Sequence, residues 1–370
     1  MTTTESSVPY CTFRGHRDSV NALLVDDVIH PNILVSGSDD GTSRVWDVRS
    51  CRTTQCINVR RALGVSSSDQ NVDTEAVAVN SAAFGSKQEP YLLHLAVANK
   101  ILSFDLRNSS LILDSLSREI LQANHEEVNA IHVHPGRRLN FLAAPDDSGM
   151  IKIYDLEQQR LFKTLQYQHT NICTAAVFRP NSPWDLVSCG MDGFLLFWDF
   201  CRGRLKYKID LQAGMHQLAE SDAETPTTLD TKSSQMFNPP LVYSIAFTSN
   251  GKAFAAGLGD GSVVIVDFNA RRILRRIRFH RATVSQVHFA DLSSDADFPW
   301  LLSCANDAQI YICDYKHVVA HDGSSPGLTA KDLIKNITVP SNPNAITTSQ
   351  YQKLLHVADP TAVIASYSLV

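Results

Sequence analysis

The sequence has little of what marks membrane, secreted or catalytic proteins. No apolar run approaches the roughly 18 residues that a transmembrane helix needs, and Met1–Ser7 is too polar for a signal peptide. The eight cysteines include no Cys-x-x-Cys pair and no zinc-binding spacing, and Cys173, Cys189, Cys304 and Cys313 lie in predicted strands, which indicates reduced, buried thiols. A net charge of −5 gives no general nucleic-acid footprint. We therefore expect an intracellular, monomeric protein without a membrane contact or cofactor.

Patterns that would support catalysis or metal binding are also scarce. His132 and His134 could be two metal ligands, but no third ligand lies nearby, so they predict a strand with half-exposed histidines. Gly257–Gly261 is rich in glycine but opens no helix, which favours a turn over a phosphate-binding loop. No nucleophile lies beside a base in a recognisable spacing. The sequence predicts no catalytic and no metal-binding residues, and a hydrolase is disfavoured.

What the sequence does contain is an internal repeat. Ile33–Arg49 reads ILVSGSDDGTSRVWDVR, which predicts two short strands joined by a turn at Asp39-Asp40-Gly41. Related strings give seven units, and they end at Trp46, Phe104, Tyr154, Trp198, Val266, Cys313 and Tyr367. A period of about forty residues with four short strands and a His…Trp-Asp ending is typical of WD40 repeats.

The chain resembles WD40 proteins along nearly its whole length, and this resemblance implies an all-β, seven-bladed propeller. A narrower resemblance, to one branch of that family, is carried by Ala144–Gly149, Thr170–Cys173 and Val177–Pro180. The last unit has no room for a fourth strand, so Val8–Arg14 is predicted to complete blade 7 and hide the sheet edge.

A single domain is predicted over residues 8–370. Its blades are expected at about residues 15–60, 74–122, 124–167, 168–210, 240–279, 280–320, and 336–370 together with 8–14. Residues 212–238 are predicted to form an acidic flexible insertion, and residues 315–335 a linker. These two segments and a loop near residues 60–75 are each assigned to a connection between the last strand of one blade and the first strand of the next. One face of the disc is therefore expected to be elaborated and the other plain.

Two units contain the complete set of four residues that hydrogen-bond to one another inside WD40 blades. The resemblance assigns these structural tetrads to His16, Ser36, Asp40 and Trp46, and to His169, Ser188, Asp192 and Trp198. The sixth unit has His280, Ser303 and Asp307 but Cys313 in place of tryptophan, and His125 precedes the third. The second, fifth and seventh units lack the histidine, so we expect these blades to depend on apolar packing.

Two strand endings suggest a partner. Trp46-Asp47-Val48-Arg49 is a WDxR ending, and Phe104-Asp105-Leu106-Arg107 is a looser form of it. They resemble the endings of WD40 substrate receptors of cullin-RING ubiquitin ligases. The resemblance implies that Asp47, Arg49, Asp105 and Arg107 face the damaged-DNA-binding protein adaptor, with substrate on the opposite face. Alternatively, both arginines pair only with local acids, and the chain is a general scaffold for chromatin or signalling complexes.

Five arginines lie close together in the outer strand of the fifth unit. They are Arg271, Arg272, Arg275, Arg276 and Arg278, and Arg281 follows. The run could bind nucleic acid or hold the acidic insertion. The interpretation favoured here is a solvated edge that discourages pairing with other strands.

Overall fold

Seven sheets surround a central axis in this computed structural model, which describes residues 7–65, 77–118, 121–122, 124–136, 139–212, 239–292, 299–320 and 333–369. Each sheet is a blade whose four strands, a to d, run antiparallel from the axis to the rim. The predicted all-β propeller of seven blades is confirmed. Within the described part of the chain, no helix is long and apolar enough to cross a membrane.

The blades follow one another along the chain. Blade 1 contains β2 (Val20–Asp26), β3 (His30–Ser38), β4 (Thr42–Asp47) and β5 (Arg52–Asn58), followed by helix α1 (Val59–Ala62). Blade 2 contains β6 (Val79–Phe84), β7 (Leu92–Val97), β8 (Lys100–Asp105) and β10 (Leu121–Gln122). Blade 3 contains β11 (His132–Val133), β12 (Phe141–Pro145), β13 (Ile151–Asp155) and β14 (Arg160–Leu165).

The remaining blades have the same organisation. Blade 4 contains β15 (Cys173–Phe178), β16 (Asp185–Gly190), β17 (Phe194–Asp199) and β18 (Arg204–Asp210). Blade 5 contains β19 (Val242–Phe247), β20 (Ala253–Leu258), β21 (Ser262–Asp267) and β22 (Arg272–Arg278). Blade 6 contains β23 (Val284–Ala290), β24 (Trp300–Ala305), β25 (Gln309–Asp314) and β26 (Leu333–Thr338). Blade 7 contains β27 (Ala345–Ser349), β28 (Leu354–Ala358), β29 (Val363–Ser368) and β1 (Cys11–Arg14).

The N-terminal strand closes the ring, as predicted. Strand β1 pairs antiparallel with β29, with Phe13 opposite Ile364, and the Tyr10 amide donates to the Ser366 carbonyl at 2.6 Å. Phe13 is fully buried and packs edge-on against Trp46 of blade 1, with the ring centroids 5.6 Å apart. The closing strand therefore satisfies the edge of β29 and also packs against the next blade.

The core consists of apolar layers between neighbouring blades. Successive side chains of a strand point to opposite faces of the sheet. In blade 1, Leu34 and Trp46 pack towards blade 7, whereas Val35 and Val45 pack towards blade 2. Because both faces of the middle strands are covered, these strands are apolar runs, as in Phe194–Asp199.

A further set of hydrogen bonds joins the innermost strands around the axis. A polar residue near the start of strand a donates to a backbone carbonyl at or before the start of strand a in the following blade. The bonds run from Asn80 to Val128 (3.3 Å), Asn129 to Cys173 (3.1 Å), Thr174 to Val242 (2.8 Å) and Asn344 to Val20 (3.1 Å). They hold successive blades at a fixed spacing near the axis.

The structure corrects the prediction of a linker at residues 315–335. This segment begins with helix α2 (Tyr315–Ala320) and ends inside β26, the outer strand of blade 6, where Ile337 pairs with Ile310. It therefore connects strands c and d of one blade. The segment is structured because α2 buries Tyr315 and Val318 against blades 5 and 6. Its last residues supply the fourth strand of blade 6.

The connection from strand c to strand d of blade 2 is also elaborated. It contains β9 (Ile112–Leu113), which pairs parallel with β5 and adds a fifth strand to blade 1. Connections between strands c and d lie on the face opposite to those between blades. The expectation that this second face is plain is therefore wrong. The predicted acidic insertion lies outside the described residues from position 213 onwards, and the loop near residues 60–75 does so from position 66.

Candidate functional site: the two faces of the propeller

Each of the two predicted tetrads is brought together inside its blade. In blade 1, His16 Nδ1 lies 3.0 Å from Asp40 Oδ2 and His16 Nε2 lies 2.7 Å from Ser36 Oγ, which accepts from Trp46 Nε1 at 2.8 Å. The same bonds in blade 4 join His169, Asp192, Ser188 and Trp198, at 2.9, 2.8 and 2.8 Å. They tie the connection before each blade to its middle strands.

The tetrad also controls the charge of the turn. Burial alone would raise the pKa of Asp40, but hydrogen bonds from His16 and Thr42 outweigh it and hold that pKa well below its usual range. The balance in blade 4 is the same, where the bond from His169 lowers the pKa of Asp192 against the effect of burial. The turn aspartates are therefore ionised acceptors, and they fix the b-to-c turns.

The two candidate arginines lie on neighbouring blades, in the c-to-d turns. Arg49 Nε donates to Asp47 Oδ1 at 3.2 Å, and the Arg49 side chain is 67% exposed. Arg107 Nη2 donates to Asp105 Oδ2 at 2.6 Å and lies over the Tyr91 ring at 3.5 Å, with its side chain 63% exposed. Each guanidinium is thus oriented by its own aspartate but remains open to solvent. The hydrogen bond from Arg107 is the main reason that the pKa of Asp105 is lowered.

Each of these arginines lines a groove. The Arg49 groove, of about 420 Å³, also includes Asn32, Gln55 and Leu106. The Arg107 groove, of about 450 Å³, also includes Leu113 and Leu116. The segment containing β9 runs from one groove to the other, since Ser109 lines the Arg49 groove and Leu113 the Arg107 groove. It is attached to blade 1 by the Cys56 amide, which donates to the Leu111 carbonyl at 2.8 Å. Leu111 is 76% exposed on this ridge. The surface therefore combines two oriented cations with an exposed aliphatic residue.

The opposite face surrounds the axial cavity. This cavity, of about 290 Å³, is lined by strand-a residues of all seven blades. At its mouth, three asparagines donate to carboxylates. The bonds run from Asn21 to Asp39 (2.5 Å), from Asn80 to Glu127 (2.6 Å) and from Asn129 to Asp147 (2.9 Å). This side of the axis therefore has an acidic rim.

Comparison with known proteins agrees with this geometry. A family model described as "WD domain, G-beta repeat" matches residues 7–47, 159–199 and 232–267. A Dictyostelium discoideum protein described as "WD repeat-containing protein 53 homolog" is 31% identical over 302 residues, covering 81% of this chain and 76% of that protein. The chain belongs to the WD40-repeat family. The narrower resemblance found in blades 3 and 4 is to WD repeat-containing protein 53, and the Dictyostelium relative confirms it.

More distant relatives share the repeats. Apoptotic protease-activating factor 1 of Mus musculus is 25% identical over 305 residues, covering 78% of this chain but 23% of that protein. Pre-mRNA-processing factor 17 of Homo sapiens is 24% identical over 226 residues, covering 53% of this chain and 36% of that protein. WD40 propellers are typically scaffolds for protein interactions, and this chain is a WD40 propeller scaffold of that kind.

This WD40 chain departs from the family pattern in blade 3. His125, which precedes the third unit, is exposed, and the neighbouring Asn124 is buried instead. Asn124 Nδ2 donates to Asp146 Oδ2 at 2.7 Å and to the Ala144 carbonyl at 3.2 Å. An amide can fill the histidine position here because Ala144 offers no hydroxyl to bond.

Blades 2 and 7 contain buried histidines that were not predicted from the sequence. His94 Nδ1 lies 2.8 Å from Ser103 Oγ, and His356 Nδ1 lies 2.6 Å from Ser366 Oγ. Both pairs lie between strands b and c, at the positions that Val35 and Val45 occupy in blade 1. Blades 2 and 7, which were expected to depend more on apolar packing, therefore also contain a buried polar pair each. A histidine followed nine or ten residues later by serine was the available sequence signal.

The arginine run does not form a continuous cationic stripe. Arg276 Nη2 donates to the turn residue Asp260 at 2.5 Å, so in blade 5 it replaces the missing histidine. Arg275 is buried and donates to the Val318 carbonyl of α2 at 2.6 Å. Arg271, Arg272 and Arg278 are exposed. In blade 6, His280 bonds Ser303 at 2.9 Å and Asp307 at 3.0 Å, as the sequence suggested.

His132 and His134 have structural contacts. The Phe178 amide donates to His132 Nδ1 at 3.3 Å, and His134 Nε2 lies 3.1 Å from the Ser182 carbonyl. His134 is buried, contrary to the expectation of two half-exposed histidines. Among the described residues, no group of three His, Cys, Asp or Glu side chains could hold a metal.

The tetrad in blade 1 can be tested with one substitution. We expect Ser36→Ala to lower the free energy of unfolding by about 1–3 kcal/mol, because the buried Trp46 indole N–H loses its acceptor. The control is Ser43→Ala, since Ser43 Oγ is buried in the same blade without a partner in the described structure. Denaturant unfolding measures both. Equal losses for the two variants would contradict the role given to the tetrad.

Proposed function

We propose that this WD40 protein is an intracellular, monomeric substrate receptor of a cullin-RING ubiquitin ligase. The adaptor, a damaged-DNA-binding protein subunit, would contact the c-to-d turns of blades 1 and 2. The observation that carries the proposal is the shared geometry of Arg49 and Arg107. Both are exposed, and each is held by the aspartate two residues before it, at neighbouring positions on one face.

The physical argument concerns preorganisation. A guanidinium has five donors in a rigid fork, and its aspartate uses only part of them. The rest can pair with carboxylates or carbonyls of a partner without reorienting a long side chain. Arginine is also enriched among the residues that dominate interface energies. The apolar ridge at Leu111, between the two grooves, would supply the dry centre that such an interface needs.

The substrate would bind on the opposite face, around the axial cavity. The acidic rim formed by Asp39, Glu127 and Asp147 favours a basic segment of the substrate. Two macromolecules could then be held at once, because the adaptor surface and the rim lie on opposite sides of the disc. A receptor needs this separation to present a bound substrate to a ligase.

The test compares adaptor capture by the wild-type chain and by an Arg49→Ala/Arg107→Ala double variant. We expect the wild type to bind the purified adaptor and the double variant to bind at least about tenfold more weakly, as for loss of interface anchors. Titration calorimetry measures the affinity. The melting temperature should change by no more than about 1 °C, because both side chains are exposed.

Arg202→Ala is the matched control. Arg202 follows strand c of blade 4, its side chain is 78% exposed, and its Nε lies 3.9 Å from Asp199 Oδ2. Like Arg49 and Arg107, it is an exposed arginine beside the aspartate that ends strand c, but it is far from the two grooves. It should bind the adaptor like the wild type. Failure of the wild type to bind the adaptor, or equal binding by the double variant, would leave a general scaffold without a ligase link.

A further inference from the structure

The ring of blades is closed by a short and non-covalent contact. Strand β1 has four residues and is hydrogen-bonded to β29 alone among the described strands. The side chains of Cys11 and Phe13 in this strand pack against residues of blade 1. All other blades are continuous in sequence from strand a to strand d, so this seam is where the two ends of the chain are held together.

Two cysteines meet at the seam. Cys11 begins β1 in blade 7, and Cys51 lies in the c-to-d turn of blade 1. Both pack against the apolar cluster that contains Phe13 and Trp46, and both are half-buried free thiols. Strand β1 also contacts β5, which begins directly after Cys51. The Cys11 and Cys51 thiols lie close enough together for Cys51 to contribute to the raised pKa of Cys11.

The direction of the Cys51 side chain is fixed by the turn. Its φ of 53° is left-handed, and Cys51 Sγ also donates to the Val48 carbonyl at 3.7 Å. The equivalent turns of blades 3, 4 and 5 place Gln159, Gly203 and Arg271 in the same left-handed conformation. The turn geometry is therefore a property of the repeat, and in blade 1 it holds a thiol against the closing strand.

We propose that Cys11 and Cys51 are a redox modification site, at which a low-molecular-weight disulfide such as glutathione disulfide converts the two thiols into a disulfide that covalently closes the propeller. Partial exposure gives the oxidant access to the pair. Cys173 and Cys189 are also neighbours, but both are fully buried. Cys56 and Cys201 are half-buried like the proposed pair, and no contact to another cysteine is described for either of them.

The chemistry is two successive exchanges. Burial raises the pKa of the Cys11 thiol to about 12, with a smaller contribution from Cys51, so Cys51 is assigned the first attack. The Cys51 thiolate attacks glutathione disulfide, breaks its S–S bond and releases one glutathione thiolate. Cys11 then loses its proton and attacks Cys51 in the mixed disulfide, releasing the second glutathione. Two protein thiols are oxidised, one disulfide is reduced, and their protons pass through solvent to the two glutathiones.

The bond would join residues 40 positions apart and tie blade 7 to blade 1. Such a crosslink restricts the unfolded chain, and it also prevents β1 from leaving β29 while the rest stays folded. For a chain of this size we expect the melting temperature to rise by about 3–6 °C on oxidation. We also expect the β1 and β29 amides to exchange hydrogen at least about tenfold more slowly.

The test incubates the full chain with glutathione disulfide and maps disulfides by peptide mass spectrometry without reduction. The expected result is one intramolecular Cys11–Cys51 link, with the rise in melting temperature reversed by dithiothreitol. Cys51→Ser should abolish the link and the rise, whereas Cys201→Ser should keep both. The main comparison is between the wild-type protein before and after oxidation. It does not depend on whether the cysteine variants fold. A glutathione adduct that never resolves, links at other cysteines, or a link without a stability gain would each overturn the proposal.

Discussion

Replacing Phe13 by alanine is expected to lower the free energy of unfolding by about 3–5 kcal/mol, the cost of removing a fully buried aromatic ring from a packed core. The ring is surrounded on two sides, by Trp46 at 5.6 Å and by His356 at 5.9 Å between ring centroids. Because these rings belong to different blades, the cavity would open at the seam. We therefore expect β1 to detach first, which exposes the edge of β29 and promotes aggregation.

Tyr10→Ala is the control for this prediction. Tyr10 precedes the same strand and its amide bonds to β29, but its side chain is 72% exposed. Its loss should change the free energy of unfolding by no more than about 0.5 kcal/mol. Denaturant unfolding and hydrogen exchange of β29 measure the two effects. A Phe13 variant as stable as the Tyr10 variant would show that the N-terminal strand is not needed for closure.

Acidification is expected to destabilise the propeller between pH 6.5 and about 4. Burial lowers the pKa of His94 and His356 to about 3 and that of His132 and His288 to about 4. In the unfolded chain a histidine has a pKa of about 6.5. Below that pH the unfolded state binds more protons, so the free energy of unfolding falls, by up to about 1.4 kcal/mol per pH unit for each histidine. Above pH 6.5 this contribution is fully present.

Three carboxyl groups oppose the histidines, because burial also raises the pKa of Asp39 and Asp291. Burial raises the pKa of Asp27 to about 6, so its folded form binds protons more readily and gains stability as the pH falls towards 4. Burial lowers the pKa of His134 as well, so five histidines act against three aspartates. We still expect the melting temperature to fall by roughly 5–10 °C from pH 7 to pH 5. Thermal melts over a pH series measure this.

The His94 pair offers a specific variant. Replacing His94 by leucine and Ser103 by alanine removes one titrating group and one orphaned ring nitrogen, since His94 Nε2 has no partner in the described structure. Blade 6 already has an apolar pair, Leu302 and Ile312, at these positions. The double variant should be close to neutral at pH 7 and should lose stability less steeply below pH 6.5. An unchanged slope would show that His94 does not contribute to the acid response.

The tetrads could be predicted from the repeat pattern, and the ring closure from the number of strands in the last unit. A turn of Asp-Gly type and a tryptophan ten residues after a serine are set by the hairpin itself, as in Ser36 and Trp46. The last repeat ends too early for a fourth strand, so an unpaired N-terminal strand was the one candidate to fill it. The helix α2 and the added strand β9 could not be predicted in this way. Their short, irregular sequences form structure only because neighbouring blades cover them.

In the candidate site, too, some features could be predicted from the sequence and others depend on the tertiary structure. The sequence alone determined the repeat period, the turn aspartates and the position of each WDxR-type arginine within its own blade. The tertiary structure decided what lies beside them: the ridge at Leu111 between two grooves, the acidic rim of the axial cavity, and the contact of Cys11 with Cys51. The physical reason is the separation along the chain of the residues that contact each other. A repeat fixes hydrogen bonds within one unit of about forty residues, whereas contacts between blades depend on how seven sheets pack around one axis.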